Sequence, residues 1–219
     1  MKLKKHYKLI IAADGKSSSG KTTGARLISK KYKLHFLSSG LLYRYASYQL
    51  LKNKPKNKIV YLNNCFKNLN LNKLNIKNLH SPRISTYTSI IAKEKKIRNI
   101  LKRFQKKFAK KYNKVCVEGR DCSTVVFPNA DIKFFFKCNL DVAAKRRFRE
   151  LKKTNKGIKF TEVKKAMRIR DNLDTKRKIS ALIQPKNAVI VHSDKLNIKD
   201  MVNKMSKVIE NKIKDKYGS

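Results

Sequence analysis

The sequence predicts an α/β fold in which helices cover both faces of a parallel sheet of five strands. Short apolar runs alternate along the chain with longer segments of helical periodicity, which is the order typical of parallel sheets. The first run leads directly into a glycine-bounded loop and then a segment compatible with a helix. The length of 219 residues fits one globular domain with a modest sub-domain.

Five short apolar runs are predicted to be the strands of this sheet. They lie at residues 7–13, 35–37, 115–118, 132–136 and 188–192. Helices are predicted where apolar residues recur at a helical spacing. They lie at residues 20–32, 40–52, 83–111 (with a break near 93–96), 141–153, 161–171 and 197–214. Residues 172–186, which include Pro185, are expected to be irregular.

Residues 53–79 have a different character, because they are polar and rich in Asn and Lys, with scattered Leu and Ile. This composition predicts a small inserted region with weak local order rather than a linker between two independent domains. The spaced apolar residues within it indicate short strands or packed loops.

The chain is strongly basic, with 56 Lys and Arg against 14 Asp and Glu and a net charge of +42. Such a surplus is typical of nucleic-acid-binding proteins, but it also follows from a composition heavy in Lys, Asn and Ile. The lysines are spread over the whole length and lack the interleaved aromatic residues that stack on bases. We therefore favour a solvated surface and expect no specific nucleic-acid partner, only weak binding to polyanions at low salt.

No apolar run approaches the length of a membrane span, and the N-terminus shows no small-residue cleavage site. The four cysteines form no C-x-x-C pair, so a zinc site is not expected. These features predict a cytoplasmic protein with reduced cysteines and no membrane partner.

The stretch from Gly15 to Thr22 matches the phosphate-binding loop pattern G-x-x-x-x-G-K-[ST]. Its glycines allow a tight turn that directs N–H groups into one concavity, and the following helix offers its positive N-terminus to an anion. Lys21 is expected to reach the β- and γ-phosphates of a nucleoside triphosphate, and the Thr22 hydroxyl to bind Mg²⁺. The loop by itself does not identify the phosphate acceptor.

Six arginines are candidates for phosphate binding, because guanidinium groups bind phosphate bidentately and lysine vastly outnumbers arginine in this chain. We expect them at loop or helix ends beside the carboxyl edge of the sheet, where ligands bind in open α/β folds. They are Arg44, Arg98, Arg120, Arg146, Arg170 and Arg177.

Three further motifs contain several of these arginines. Residues 38–44 read SSGLLYR, residues 118–130 read EGRDCSTVVFPNA, and residues 170–177 read RDNLDTKR. Together with the phosphate-binding loop, and in this order, they resemble the motifs of bacterial cytidylate kinases. The resemblance covers nearly the whole chain, and its second motif is much more specific than the phosphate-binding loop.

The resemblance implies a P-loop NTPase fold of three α/β/α layers with an inserted region that binds the nucleoside monophosphate and a helical lid. The implied division of this single domain is a core at residues 1–52, 112–140 and 186–219, an insert at about 53–111 and a lid at about 141–185. The implied reaction transfers the γ-phosphoryl group of ATP, with Mg²⁺, to CMP or dCMP. The protein is expected to be a monomer.

The resemblance also implies roles for single residues. The phosphates of ATP would be held by Gly15, Ser17, Ser18, Ser19, Gly20, Lys21, Thr22 and Thr23, with Arg146 near them. The CMP phosphate would be bound by Arg44, Arg120 and Arg177, and the cytosine by Ser89, Arg98 and Asp121. Residues around the sugar and the lid would be Ser39, Arg170 and Asp174. Glu118 would orient Mg²⁺ through water.

Several positions depart from the family pattern, including Lys16 in place of proline and Ser38 and Glu118 in place of aspartate. In the lid and insert, arginine is frequent at the positions of Leu173, Thr175 and His80. We expect weaker binding there but retained activity. Two alternatives stay open: a P-loop kinase for UMP or another small acceptor, and a basic nucleic-acid-binding ATPase.

Overall fold

In a computed structural model of the chain, residues 3–4, 6–153 and 155–218 are described. Five strands form one sheet in the order β2-β3-β1-β4-β5. Their bounds are β1 Leu9–Gly15, β2 His35–Ser38, β3 Lys114–Gly119, β4 Ile132–Lys137 and β5 Val189–His192. β1 pairs in parallel with β3 and β4, and β4 pairs in parallel with β5. The predicted parallel sheet of five strands is confirmed.

Helices separate the strands along the chain. Their bounds are α1 Lys21–Tyr32, α2 Ser39–Asn53, α3 Lys58–Lys67, α4 Pro82–Ile91, α5 Lys95–Lys111, α6 Leu140–Lys152, α7 Phe160–Lys176 and α8 Ile198–Tyr217. The break predicted near 93–96 is confirmed by the gap between α4 and α5. In the described part of the chain, no helix combines the length and the apolar character that a membrane span needs.

The chain divides into two compact units: the described part of Met1–Leu37 with Asn113–Ser219, and Ser38–Tyr112. In the first unit, buried side chains of β1 and β4 pack with those of α1 and α8. Gly24 allows α1 to approach closely, because a Cβ there would lie 2.9 Å from the Phe136 ring and 3.1 Å from the Met205 sulfur. This packing fixes the loop that joins β1 to α1.

The helices α6 and α7 of the first unit form a hairpin with a small core of its own. Ala143 and Ala144 of α6 are buried with Val163 and Met167 of α7. Helix α7 continues to Lys176, so the prediction of an irregular segment from residue 172 was wrong at its start. Arg170, Asp171 and Asp174 are consequently on one helix.

The second unit is built from helices and short turns, and the expectation of short strands or packed loops at 53–79 was wrong for Lys58–Lys67, which is helical. This segment contains α3 and two 3₁₀ turns, Leu71–Asn75 and Lys77–His80. The Asn57 side chain caps α3 by accepting from two of its backbone N–H groups. Leu62 and Phe66 are four residues apart and buried, and Phe66 packs edge-on against Tyr45 and Phe104. The cap and the packing outweigh the modest helix propensity of the segment.

Candidate active site

The loop between β1 and α1 has the shape of an anion cradle. β1 ends at Gly15 and α1 begins at Lys21, with Gly20 at the helix N-cap in the left-handed region at φ +80°. A side chain at Gly15 would collide with β4, because its Cβ would lie 2.7 Å from the Phe136 carbonyl oxygen. Ser18 also has a positive φ, of 51°. The glycines therefore occupy two positions where a larger residue would be strained or blocked.

Lys21 is buried at the start of α1. Its Nζ donates to the Lys16 carbonyl oxygen at 3.2 Å and lies 3.9 Å from Glu118 Oε2. Burial, together with the nearby Arg120, lowers the pKa of Lys21 to about 8, while Glu118 opposes the shift. The ammonium group is thus mostly protonated at neutral pH, although burial and Arg120 disfavour its charged form. An anionic phosphate beside it would favour that charged form.

Arg120 directly follows β3 and connects the loop to α7. Its Nε donates to Asp174 Oδ2 at 2.8 Å, and its NH2 donates to the Ser17 hydroxyl at 3.1 Å. Burial alone would lower the pKa of Arg120, but Asp174, Asp171 and Glu118 outweigh burial and raise it. The guanidinium is therefore held in place as a permanent cation beside the loop.

Two more arginines lie around Asp174. Arg177 NH1 donates to Asp174 Oδ1 at 3.3 Å, and its NH2 lies 4.0 Å from Asp121 Oδ1. Burial, together with the neighbouring Arg120, lowers the pKa of Arg170 to about 10. Burial opposes ionisation of Asp174, yet Arg120, Arg170 and Arg177 lower its pKa overall. The cluster concentrates positive charge, which suits a phosphate-binding site.

Arg146 lies beside the loop from another direction. Its NH1 and NH2 donate to the Ser193 hydroxyl and carbonyl oxygens at 3.0 and 2.7 Å. A Cβ on Gly20 would lie 3.7 Å from Arg146 NH1, which places this guanidinium near the start of α1. The first unit thus brings together the loop, Arg120, Arg146, Arg170 and Arg177.

In the second unit, the predicted residues form a smaller cluster. Arg44 NH1 donates to the Leu79 carbonyl oxygen at 2.9 Å and to the Ser85 hydroxyl at 2.8 Å, and the Ser89 hydroxyl donates to the Ser85 carbonyl oxygen at 3.3 Å. Arg98 NH1 donates to the Ala92 carbonyl oxygen at 2.9 Å, and its guanidinium lies 5.3 Å from the centre of the Tyr43 ring. These bonds fix the direction of both guanidinium groups within the unit.

The arginines are not all at loop or helix ends as expected. Arg120 and Arg177 are at such ends and Arg98 is in the first turn of α5, but Arg44, Arg146 and Arg170 lie within helices. Arg44 and Arg146 lie inside the helices predicted at 40–52 and 141–153, so the expectation of helix ends was wrong for them, and Arg170 is mid-helix because α7 extends to Lys176. Ser39, predicted near the sugar, is the buried first residue of α2.

Two acidic residues of this site were missed by the sequence reasoning. Asp171 Oδ1 accepts from the Ser17 backbone N–H at 3.0 Å, so that α7 contacts the phosphate-binding loop directly. Asp14 is fully buried at the end of β1, next to Gly15. Asp171 lies beside Arg170 within a motif, and this position could have identified it as a site residue. Asp14 directly precedes the loop, and nothing in the sequence indicated its partner.

Comparison with known proteins places this site in one family. The sequence profile of the cytidylate kinase family matches residues 11–211. The chain is 34% identical to the cytidylate kinase of Thermosipho melanesiensis, over 93% of this chain and 98% of that protein. It is 38% identical to the cytidylate kinase of Bartonella tribocorum, over 86% of this chain and 88% of that one. The fold is also similar to the shikimate kinase structure from Bacteroides thetaiotaomicron, with a TM-score of 0.51, 15% identity and coverage of 92% and 98%. The chain belongs to the cytidylate kinase family.

Proposed function

We propose that the protein transfers the γ-phosphoryl group of MgATP to CMP or dCMP, giving CDP or dCDP. The observation that carries this proposal is the cluster of Lys21, Arg120 and Arg177 beside a phosphate-binding loop, in a chain of the cytidylate kinase family. Kinases of this kind need positioning and charge neutralisation more than covalent chemistry. The other readings, a UMP or small-acceptor kinase and a nucleic-acid-binding ATPase, have no such support.

The ATP phosphates are assigned to the loop and the start of α1. Buried Ser19 Oγ has no hydrogen-bond partner among the described residues, so this cradle has an unused polar group available for a ligand. Lys21 neutralises charge on the β- and γ-phosphates, and Arg146 lies on the ATP side. The assigned residues are Gly15, Ser17, Ser18, Ser19, Gly20, Lys21, Thr22, Thr23 and Arg146.

Mg²⁺ is assigned to the Thr22 hydroxyl, with Glu118 acting through water. Magnesium in such sites is bound mainly by phosphate oxygens and water, with few protein ligands, and this donor set suits it. Glu118 is a buried carboxylate near Lys21, as a residue orienting metal-bound water should be. The metal, when bound, neutralises charge that develops on the transferring phosphate.

The acceptor phosphate is assigned to Arg44, Arg120 and Arg177. The CMP phosphate is largely dianionic at neutral pH, since its second pKa is about 6, and it needs no protein base to act as a nucleophile. The arginines hold its oxygens and reduce repulsion from the γ-phosphate, so the barrier falls through orientation and electrostatics.

Cytosine recognition is assigned to Ser89, Arg98 and Asp121, and the sugar and lid contacts to Ser39, Arg170 and Asp174. The Asp121 carboxylate accepts from the 4-amino group of cytosine, and the Arg98 guanidinium donates to O2 and N3. Uracil presents a carbonyl oxygen in place of the amino group and would repel a carboxylate. This assignment explains selection of cytosine over uracil.

The lid is assigned to residues 141–185 and the acceptor-binding insert to residues 53–111. The separate small core of α6 and α7 supports movement of that hairpin as one body. Closure of the lid would exclude water and prevent wasteful hydrolysis of ATP. We propose further a monomer with no specific nucleic-acid partner. The cytoplasmic location stays a prediction, in keeping with free thiols at Cys65, Cys116, Cys122 and Cys138.

Asp121→Asn tests the assignment of the base. The amide can donate to O4 of uracil and loses one acceptor for the cytosine amino group. We expect kcat/KM for CMP to fall about a hundredfold and the ratio of CMP to UMP use to fall further, since UMP gains. Steady-state kinetics with both acceptors measure this, with Asp200→Asn, an exposed acid on α8, as the matched control. An unchanged ratio would refute the role of Asp121.

A further inference from the structure

Asp14 accepts a set of hydrogen bonds that have no assigned role in the proposed reaction. Its side chain is fully buried at the carboxyl end of β1. One carboxylate oxygen accepts from the Cys122 backbone N–H at 2.9 Å. The other accepts from the Ser123 backbone N–H at 2.7 Å and from the Ser123 hydroxyl. Three donors from one short segment converge on this carboxylate.

These donors lie at the start of a single π-helical turn, Cys122–Val126. The first N–H groups of a helical turn have no partner within the turn and need an acceptor. Asp121, the residue before it, makes no side-chain cap. Asp14 supplies the missing acceptor from a strand that is 108 residues away in sequence.

Contacts of Asp14 lie on both sides of two residues that are proposed to bind the acceptor. The β1–β3 register ends with Asp14 opposite Gly119. Only Arg120 and Asp121 lie between that last strand pair and the Cys122 N–H bound by Asp14. The two residues are therefore held at both ends by Asp14, through the strand ladder on one side and the carboxylate on the other.

We infer that Asp14 is a positioning residue, which aims Arg120 at the acceptor phosphate and Asp121 at the base. The inference rests on the proposed function. A carboxylate suits this position because the two N–H groups and the hydroxyl bonded to it are donors, and both of its oxygens accept. Burial raises the pKa of Asp14, and the hydrogen bonds from Ser123 and Cys122 oppose that shift. These donors therefore stabilise the carboxylate form in a buried position.

The ATP side of the site has supports besides the Arg120 bond to the Ser17 hydroxyl, so it should be much less sensitive to Asp14 than the acceptor side. The loop is held by the Ser17 N–H bond to Asp171, by the Lys21 bond to the Lys16 carbonyl oxygen and by the close packing at Gly24. A loss at Asp14 should therefore appear in acceptor use and selectivity more than in ATP binding. A merely structural role would weaken both alike.

Asp14→Asn is the test variant, because its amide nitrogen would face an N–H donor and one bond would be replaced by repulsion. We expect kcat/KM for CMP to fall about a hundredfold, as misplacement of reacting groups by an ångström does elsewhere. The ratio of CMP to UMP use should fall about tenfold. The dissociation constant of ATP, measured by calorimetry, should change by no more than about threefold.

Ser123→Ala keeps both backbone N–H donors and removes only the hydroxyl, so it is a milder variant that should fold. It is expected to shift the same two acceptor readouts in the same direction by about threefold, with ATP binding unchanged. Asp215→Asn, an exposed acid on α8, is the control. Equal losses for ATP and CMP, or an unchanged CMP to UMP ratio in both variants, would overturn the inference. If the unmodified protein does not phosphorylate CMP, the proposed function itself fails, which is a separate result.

Discussion

Lys21→Ala should lower turnover about a thousandfold with every acceptor, because it removes the cation that we propose neutralises the β- and γ-phosphates. The loss should appear in kcat and not only in KM, since charge on the transferring group changes most in the transition state. The measurement is steady-state ADP release at saturating ATP with each nucleoside monophosphate in turn.

The folded state should survive this change. Burial lowers the pKa of Lys21, so the charged side chain costs folding free energy at neutral pH, and alanine removes that cost. The melting temperature should therefore be equal or higher. Lys16→Ala is the matched control, since Lys16 lies in the same loop with an exposed side chain. A Lys21→Ala protein that retains a tenth or more of the activity, roughly, would contradict the assignment.

Arg120→Lys should lower kcat/KM for CMP about a hundredfold while leaving ATP binding nearly intact. The guanidinium donates to Asp174 and Ser17 at the same time and has further N–H groups for a phosphate. A lysine ammonium is a single point and cannot keep these two bonds and grip a phosphate bidentately. The charge is retained, so the loss measures geometry and not net charge.

Arg168→Lys on α7 serves as the control for this substitution, because Arg168 is exposed and carries the same chemical change. Kinetics with CMP and calorimetry with ATP separate the two halves of the site. Equal effects of Arg120→Lys and Arg168→Lys on kcat/KM would show that Arg120 does not bind the acceptor.

Most of the residues that the structure brings together in the first unit could be predicted from the sequence, because they lie in contiguous motifs. The loop from Gly15 to Thr22 and the arginines after β3 and at the end of α7 lie where a parallel sheet places ligands. The resemblance to the family motifs also identified Asp121 and Asp174 as candidate site residues. Local sequence was sufficient to name the clustered residues that lie within one short motif, and their roles stay predictions.

What could not be predicted depends on contacts between segments far apart in the chain. Asp14 finds its donors 108 and 109 residues away, and Asp171 reaches Ser17 across 154 residues. The helix α3 depends on aromatic packing between Phe66 and Phe104. Side-chain pairs of this kind override local propensity. The composition of residues 53–79 indicates only that local propensity and not the packing.

The few acidic residues of the chain are concentrated near the phosphate-binding loop. The sequence has only 14 of them, and five gather around the phosphate-binding loop: Asp14, Glu118, Asp121, Asp171 and Asp174. A basic chain can leave most of its surface lysines solvated, but Arg120, Arg170 and Arg177 lie against carboxylates of this group. The scarce carboxylates are therefore a guide to the site.

Competition among acceptors shows whether the protein phosphorylates CMP and dCMP in preference to other nucleotides. The purified protein is given MgATP with equal concentrations of CMP, dCMP, UMP, AMP and GMP, and the diphosphates are separated by chromatography. We expect CDP and dCDP to form first, with UDP, ADP from AMP and GDP slower by about a hundredfold. Labelled AMP distinguishes the ADP formed from AMP. Equal rates of CDP and UDP formation, or no transfer to CMP, would contradict the proposed function.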